Sequence, residues 1–154
     1  MDEIDRNIVV ALQQDGSSGL AELAKVDGLS VSATAERVKR LEERGVIRAW
    51  RADLDPAEVG CPLLAHALVA VAPGRDDAAF RNRVRGEEAV LECHAVTGPW
   101  TYLLKLRVSD LAALDAFLNE ELRPLPGVQR VETLVALATV KESAILPVAP
   151  ATEE

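Results

Sequence analysis

The chain has 154 residues, 49% of them hydrophobic, and a formal net charge of -8, which fits one ordinary domain or two small ones with a buried core. Its apolar runs stay well short of the ~20 residues that a membrane helix needs, and the acidic start MDEIDRN is unlike a signal peptide. We therefore expect a cytoplasmic protein with no membrane partner.

The first part of the chain predicts two helices. Residues 2–14 form the first, because Ile4, Ile8 and Leu12 recur at helical spacing. A second, two-turn helix with Leu20, Leu23 and Ala24 on its apolar face is expected after the segment DGSSG, and Asp27-Gly28 ends it.

A third helix is expected to start at a cap supplied by Ser30 or Ser32 and to end near Arg44, where a glycine follows. Two helices joined by a short glycine-containing turn, after a first helix, form the helix-turn-helix pattern. The loosely alternating residues 46–54 are expected to form a wing or linker strand.

The third helix and the residues after it are basic inside an acidic chain. Residues 30–51 carry six basic and three acidic side chains. If Thr34, Val38 and Leu41 face the core, small and basic residues face outward, as a helix that reads the major groove requires. We therefore predict that the residues contacting double-stranded DNA are Ser30, Ser32, Ala33, Glu36, Arg37 and Arg40. The alternative is a solvated charged helix face.

A few residues raise other possibilities. Trp50 either stacks on a sugar or base, or packs against a helix or a second subunit. Cys61 and Cys93 are too few for a disulfide scaffold, and Cys93 and His94 point to opposite faces of a predicted strand, so they cannot easily share a metal. His66 has no acidic residue at ligand spacing. We predict no catalytic residue, no metal site, no cofactor and no enzymatic activity.

The second part of the chain predicts a ferredoxin-like sheet. Asp55-Pro56 and the segment GCP at 60–62 mark a hinge. The elements expected after it are a strand at 63–72, a helix at 76–86, strands at 90–97 and 101–108, a helix at 110–122 and a strand at 128–141. This βαββαβ order is that of the split βαβ sandwich, so the predicted class is α+β. The expected divisions are 1–50 for the winged helix-turn-helix domain, 51–62 for the linker, 63–146 for the ferredoxin-like domain and 147–154 for a flexible tail.

These strands are apolar at nearly every position rather than alternating. Two helices cover only one face of a four-stranded antiparallel sheet, so the other face needs a cover as well. Self-association through that face is the simplest solution, with a two-fold homodimer as the default.

The turn TGPWTY at 97–102 gathers two aromatic residues and two hydroxyls at a sheet end. It either offers amides and a platform to a small ligand at a subunit interface, or it is a hairpin whose aromatic side chains only pack an oligomer.

Six segments in order resemble the Lrp/AsnC family of prokaryotic transcription factors. They are Asp5-x-x-Ile8, LAELAKVDGLS (20–30), RVKRLEERGVI (37–47), ADLDPAEVG (52–60), TGPWTYLLKLRV (97–108) and LPGVQRVET continuing to Lys141. The resemblance implies a winged helix-turn-helix and a ligand-sensing domain that dimerises through its sheets, commonly forms octamers and binds an amino acid or related metabolite between dimers. It places the effector contacts at Val96, Thr97, Gly98, Trp100, Thr101, Tyr102, Thr133 and Val135.

The effector turn departs from the family pattern. The family usually has Gly-Asp-Tyr-Asp-Tyr where this chain has Gly98-Pro99-Trp100-Thr101-Tyr102, so both acidic partners for an ammonium group are lost. A second hydroxyl after Thr133 is replaced by Val135. These departures imply a less polar or differently charged metabolite, or no effector.

The predicted function is sequence-specific DNA-binding transcriptional regulation by an oligomer that senses a small metabolite. The alternatives are an effector-independent chromosome-architectural protein and, from a different class, an enzyme on the same scaffold, because sirohaem decarboxylases resemble this family.

Overall fold

A computed structural model of the chain describes residues 1–149, apart from the side chain of Arg75. These residues form two compact units. The first consists of Met1–Asp53 together with the segment that begins at Lys141, and the second is Leu54–Val140. The boundary between Asp53 and Leu54 lies inside the predicted linker. After Val140 the chain belongs to the N-terminal unit again.

Three helices build the N-terminal unit: α1 (Glu3–Gln14), α2 (Leu20–Val26) and α3 (Val31–Glu43). Asp2 caps α1 by accepting a hydrogen bond from the Asp5 amide at 2.8 Å. Ser30, rather than Ser32, caps α3 by accepting from the Ala33 amide at 3.2 Å. Ile8, Leu23, Leu41 and Thr34 are buried between the helices, and the Thr34 hydroxyl is satisfied because it donates to the Ser30 carbonyl at 3.0 Å.

The predicted wing or linker strand at 46–54 is wrong for this chain. Its residues run without regular secondary structure, because the strands among residues 1–149 all belong to the sheet of the other unit, and a strand without a partner is not stable. The segment is held in another way. The Val46 and Ile47 amides both donate to the Leu41 carbonyl, at 2.9 and 3.1 Å.

The segment from 145 to 149 is attached to α1 instead of fraying. The Gln13 side chain donates to the Leu146 carbonyl at 3.1 Å and accepts from the Leu146 amide at 2.8 Å. Two turns earlier on α1, the Arg6 Nε–H donates to the Ala149 carbonyl at 3.1 Å. We call residues 141–149 the strap. The first residues of the predicted tail therefore have defined partners, and 150–154 lie outside the described residues.

The second unit has the predicted βαββαβ order. Its elements are β1 (Leu63–Val71), α4 (Arg75–Arg85), β2 (Val90–Ala95), β3 (Tyr102–Val108), α5 (Leu111–Ala116) and β4 (Val128–Val135), and α5 continues into a π-helical segment at Phe117–Leu122. The strand order is β2-β3-β1-β4, with every neighbouring pair antiparallel. β4 is shorter than the predicted 128–141. It ends at Val135, which pairs with Ala65, and the Ala136 amide still donates to the Leu64 carbonyl, so only Leu63 of β1 lies beyond that bond.

The helices cover one face of this sheet, and the side chains alternate between the two faces. The covered face contributes Ala65, Ala67 and Val69 from β1 and Leu104 and Leu106 from β3 to a core that includes Phe80 and Leu122. The expectation of an apolar surface on both faces therefore needs correction, because the other face is mixed.

We call the uncovered side the open face. Leucines run across its centre, where Leu68 pairs with Leu103, and His66 lies between Lys105 and Leu134. Charged residues flank them, among them Glu92, Arg130 and Glu132. The apolar strip is thus narrower than the sequence pattern indicates, and it reaches the third strand only diagonally, from Leu68 to Leu134.

Candidate DNA-binding and effector sites

The exposed face of α3 is the candidate DNA-binding surface. Ser32, Glu36 and Arg40 lie exposed on it, and Ala33 is half-buried beside them. Ser30 and Ser32 bring their hydroxyl oxygens within 3.1 Å of each other at the start of the helix. Among the described residues, the Arg40 guanidinium has no hydrogen-bond or ion-pair partner, so its donors are available to a ligand.

Contrary to the prediction from the sequence, the Arg37 side chain does not lie on this face. Its guanidinium binds Asp2 and Asp5 at the start of α1, at 2.7 Å in both cases, and its side chain is only 20% exposed. These two carboxylates raise the pKa of Arg37. The Asp5 amide, followed by Arg37, lowers the pKa of Asp2. Arg37 therefore joins α3 to α1, and the sequence could not show this because Asp2 and Asp5 are distant along the chain.

The exposed face of α3 includes Lys39 in place of Arg37. Lys39 is exposed and lies 3.7 Å from Glu43, a solvent-exposed pair that binds weakly. The position of Lys39 on this face could have been found from the sequence, because it has helical spacing with Ser32, Glu36 and Arg40. Val31 is 49% exposed, because it is the first residue of the helix and precedes the turns that pack.

More cationic residues follow the end of α3. Arg44, Arg48 and Arg51 are exposed and, within residues 1–149, have no side-chain hydrogen bond or ion pair. Trp50 lies among them and packs within the same unit. Its indole N–H donates to Glu42 at 2.7 Å, and its ring borders Gly16. The packing alternative for Trp50 is therefore what the structure shows, although the side chain remains half exposed.

The candidate effector turn joins β2 to β3. The Val96 amide donates to the Thr101 carbonyl at 3.1 Å and the Thr101 amide donates to the Val69 carbonyl at 2.9 Å. The Thr101 hydroxyl accepts from the Val71 amide at 2.9 Å and donates to the Val71 carbonyl at 3.3 Å. This hydroxyl is therefore occupied by the main chain of β1, which a sequence pattern cannot show. Gly98 adopts φ +100°, a conformation that favours glycine.

Tyr102 is buried on the covered face. Its ring stacks on Phe80 with 4.9 Å between centroids. Its hydroxyl donates to Asp77 at 2.5 Å and accepts from Arg81 Nε at 2.6 Å. Burial, followed by the Asp77 hydrogen bond, raises the pKa of Tyr102. The tyrosine thus binds α4.

Trp100 makes a different contact. The Arg130 guanidinium carbon lies 3.9 Å from the centroid of its ring, and Arg130 is on the open face opposite Ala70. Thr133, by contrast, pairs with the core residue Ala67 on the covered face. The predicted effector residues are therefore divided. Tyr102, Thr133 and Val135 follow the covered-face register, whereas Val96, Thr97, Gly98 and Thr101 stay with Trp100 at the turn. Arg130 is a candidate residue at this turn that the sequence did not reveal.

A shallow cavity of about 360 Å³ lies between α4 and the edge strand β2. Its apolar floor includes Val84 and Val90, and Arg81 and Arg85 stand at its rim with Cys93. Burial raises the pKa of the Cys93 thiol, which leaves it protonated and poorly nucleophilic.

Residues 1–149 show neither a metal-binding cluster nor a membrane-spanning helix. Residues 1–149 contain no group of three or more His, Cys, Asp or Glu side chains arranged to hold a metal ion. His94 instead contacts Glu92 at 3.1 Å. None of the helices that the structure describes has the length and apolar character to cross a bilayer.

Comparison with known proteins gives the same architecture. Residues 1–42 match the AsnC-type helix-turn-helix domain, and residues 65–146 match the Lrp/AsnC ligand binding domain. The chain is 41% identical over 145 residues to the leucine-responsive regulatory protein of Escherichia coli, covering 93% of this chain and 88% of that protein. It is 37% identical over 148 residues to an HTH-type transcriptional regulator of Pyrococcus abyssi, covering 96% of this chain and 97% of that protein.

Solved structures agree over the same length. A transcriptional regulator of Neisseria meningitidis in complex with L-methionine superposes with a TM-score of 0.90 and 32% identity, covering 96% of each chain. A feast or famine regulatory protein of M. tuberculosis, complexed with L-methionine, gives 0.86 and 34% identity and covers 94% of this chain and 97% of the other. These relatives are named as regulators rather than enzymes, which confirms the predicted regulatory function and the α+β fold of a helix-turn-helix followed by a ligand-binding domain. The chain belongs to the Lrp/AsnC family of transcriptional regulators.

Proposed function

We propose that this regulator reads operator DNA with the exposed face of α3, and that Arg40 makes its principal contact. The observation that carries the proposal is the Arg40 guanidinium, which is exposed on a helix whose N-terminal turn is small and free of acidic residues. A helix of this kind enters the major groove with its N-terminal residues against the bases. Lys39, Arg44 and Arg48 supply phosphate contacts.

Arg37 supports this surface indirectly. The sequence predicts a direct DNA contact for Arg37, but its N–H donors bind Asp2 and Asp5 at the start of α1. It acts as a positioning residue that sets the orientation of α3.

A gel-shift titration at fixed salt tests the assignment of Arg40. Arg40→Ala should weaken operator binding by about 1–3 kcal/mol for each contact, and a change in the ranking of half-site variants would identify a base contact. If Arg40 instead holds a phosphate, the loss is uniform across sequences and the salt slope falls by about 1 for each lost contact. Arg123→Ala, at an exposed arginine of the other unit, is the matched control, and equal affinities for the two variants would refute the assignment.

The open face is the proposed dimer interface. The leucine strip of Leu68, Leu103 and Leu134 crosses three strands with no covering element in its own unit, and a two-fold dimer would bury it. Dimers would present paired helices to half-sites, and further assembly to octamers would add multivalency. We also propose a cytoplasmic location, since a prokaryotic regulator meets chromosomal DNA there.

We further propose that the turn from Val96 to Thr101 borders the effector site, completed by another copy of the chain. The methionine complexes of two structural relatives support a small-metabolite ligand. Thermal-shift measurements with amino acids and related acids, on the full-length protein and on Trp100→Ala, test this proposal. An effector shift that survives the substitution unchanged would contradict it.

A further inference from the structure

Arg130 differs from its neighbours in what it binds. In the second unit Arg81 and Arg83 pair with carboxylates. Three more arginines donate to oxygens of Asn82, Pro62 and Asn119, and they are Arg85, Arg107 and Arg123. Arg130 has only the face of Trp100 as a partner among the described residues. A guanidinium on an aromatic ring keeps its N–H groups directed outward along its edge, so they remain free to bind an anion.

The turn next to Arg130 contains no carboxylate that would pair with an ammonium group. Residues 97–102, TGPWTY, carry no acidic side chain. The hydroxyls of Thr101 and Tyr102 are occupied within the fold. What remains is the exposed Thr97 hydroxyl, main-chain amides and the Trp100 ring.

Glu132 is the nearest carboxylate along the same strand. It lies on the open face two residues after Arg130 and opposite Leu68, and it forms no ion pair with Arg130 among the described residues. Arg130 instead turns toward Trp100. The corner therefore carries an uncompensated positive charge beside a flat apolar surface.

We propose that Arg130 and Trp100 form a carboxylate-recognition corner, and that the effector is an organic acid without an α-ammonium group, such as an α-keto acid. The location rests on the proposed effector site, but the ligand class rests on the charges around this corner. A carboxylate can take two N–H donors from the edge of a guanidinium in bidentate geometry, while a planar keto-acid end stacks beside the indole. An α-ammonium group would face the Arg130 cation with no carboxylate in the turn to compensate it.

Matched ligand pairs test the proposal. Leucine, methionine and phenylalanine would each be compared with the α-keto acid of the same side chain, by thermal shift and by the emission of Trp100 in a Trp50→Phe protein. The chain has two tryptophans, so the remaining signal comes from the corner itself. We expect each keto acid to bind more tightly than its amino acid and to change the Trp100 emission.

Substitutions of Arg130 test whether its positive charge binds the carboxylate of the ligand. Arg130→Gln should weaken keto-acid binding about ten- to hundredfold, the loss expected for a charge-assisted hydrogen bond. Arg130→Lys should retain part of the affinity, because the charge remains and the planar donor edge is lost. Arg123→Gln, which removes an exposed arginine bound to Asn119, should leave it unchanged.

Three outcomes would overturn the inference. They are tighter binding of the amino acids with loss on Glu132→Gln, keto-acid binding that is indifferent to Arg130→Gln, and no response to either ligand of any pair at millimolar concentration. Operator binding by the unliganded protein is measured separately. A failed ligand test with intact, Arg40-dependent DNA binding therefore refutes the corner and leaves the DNA-reading proposal standing.

Discussion

Replacing Tyr102 with phenylalanine separates a structural role from a ligand role at the turn. The substitution keeps the ring that stacks on Phe80, so it creates almost no cavity. It removes a hydroxyl that binds Asp77 and Arg81. Hydrogen bonds to charged groups contribute about 1.5–3 kcal/mol each, but Asp77 and Arg81 still bind each other at 3.0 Å and both reach solvent. The expected loss in the free energy of unfolding is therefore about 1–2 kcal/mol.

Urea unfolding measures this loss. Trp100 emission in a Trp50→Phe background reports the second unit, and with a slope of about 2 kcal/mol/M the midpoint should fall by roughly 0.5–1 M without a change in slope. Keto-acid binding should remain, since the phenol faces α4.

A pH titration supplies an independent check. Burial and Asp77 raise the pKa of Tyr102 above its ordinary value of 10.0, so the folded protein retains this proton at a pH where the unfolded chain has lost it. The stabilisation is fully present below pH 10.0 and is lost as the pH rises through the folded pKa. Tyr102 is the single tyrosine of the chain, so phenolate absorbance follows it directly. A titration at or below the ordinary pKa, an unchanged urea midpoint, or loss of ligand binding alone would refute the structural role.

Further predictions concern the two units separately. Arg37→Ala should lower the melting temperature of the N-terminal unit more than Arg40→Ala does, as followed by Trp50 emission in a Trp100→Phe protein, because it leaves the buried Asp5 without its cation; equal melting temperatures would contradict this. The stability that Asp2 contributes should be lost as the pH falls below its ordinary 3.8, since its pKa is lowered in the folded state, and Asp2→Asn should flatten that part of the profile. Gln13→Ala should accelerate hydrogen exchange at the Leu146 amide, which it binds at 2.8 Å, and unchanged exchange would show that the strap does not depend on that contact. Leu68→Glu, in the centre of the open face, should shift the protein toward monomers in light scattering, whereas Leu111→Glu on the exposed side of α5 should not; dimers that persist equally in both would place the interface elsewhere.

Local sequence signals were sufficient for the helices and for the order of the strands. Apolar spacing and the Ser30 cap define α1 to α3, and alternating turns and apolar runs predict βαββαβ. They failed where a partner from another part of the chain decides the outcome. Residues 46–54 read as a strand, but no described strand pairs with them, and β4 ends at Val135, close to the start of β1.

The sequence by itself determined the family, the basic third helix and the uncharged turn at 97–102, because these depend on residue types at short spacing. Only the tertiary structure decided which basic residues remain available. It binds Arg37 to Asp2 and Asp5, leaves Arg40 free of partners among the described residues, and sets Arg130 on Trp100. Each of these outcomes depends on side chains separated along the chain but brought together by packing, and a helical or strand periodicity holds no information about such distant partners.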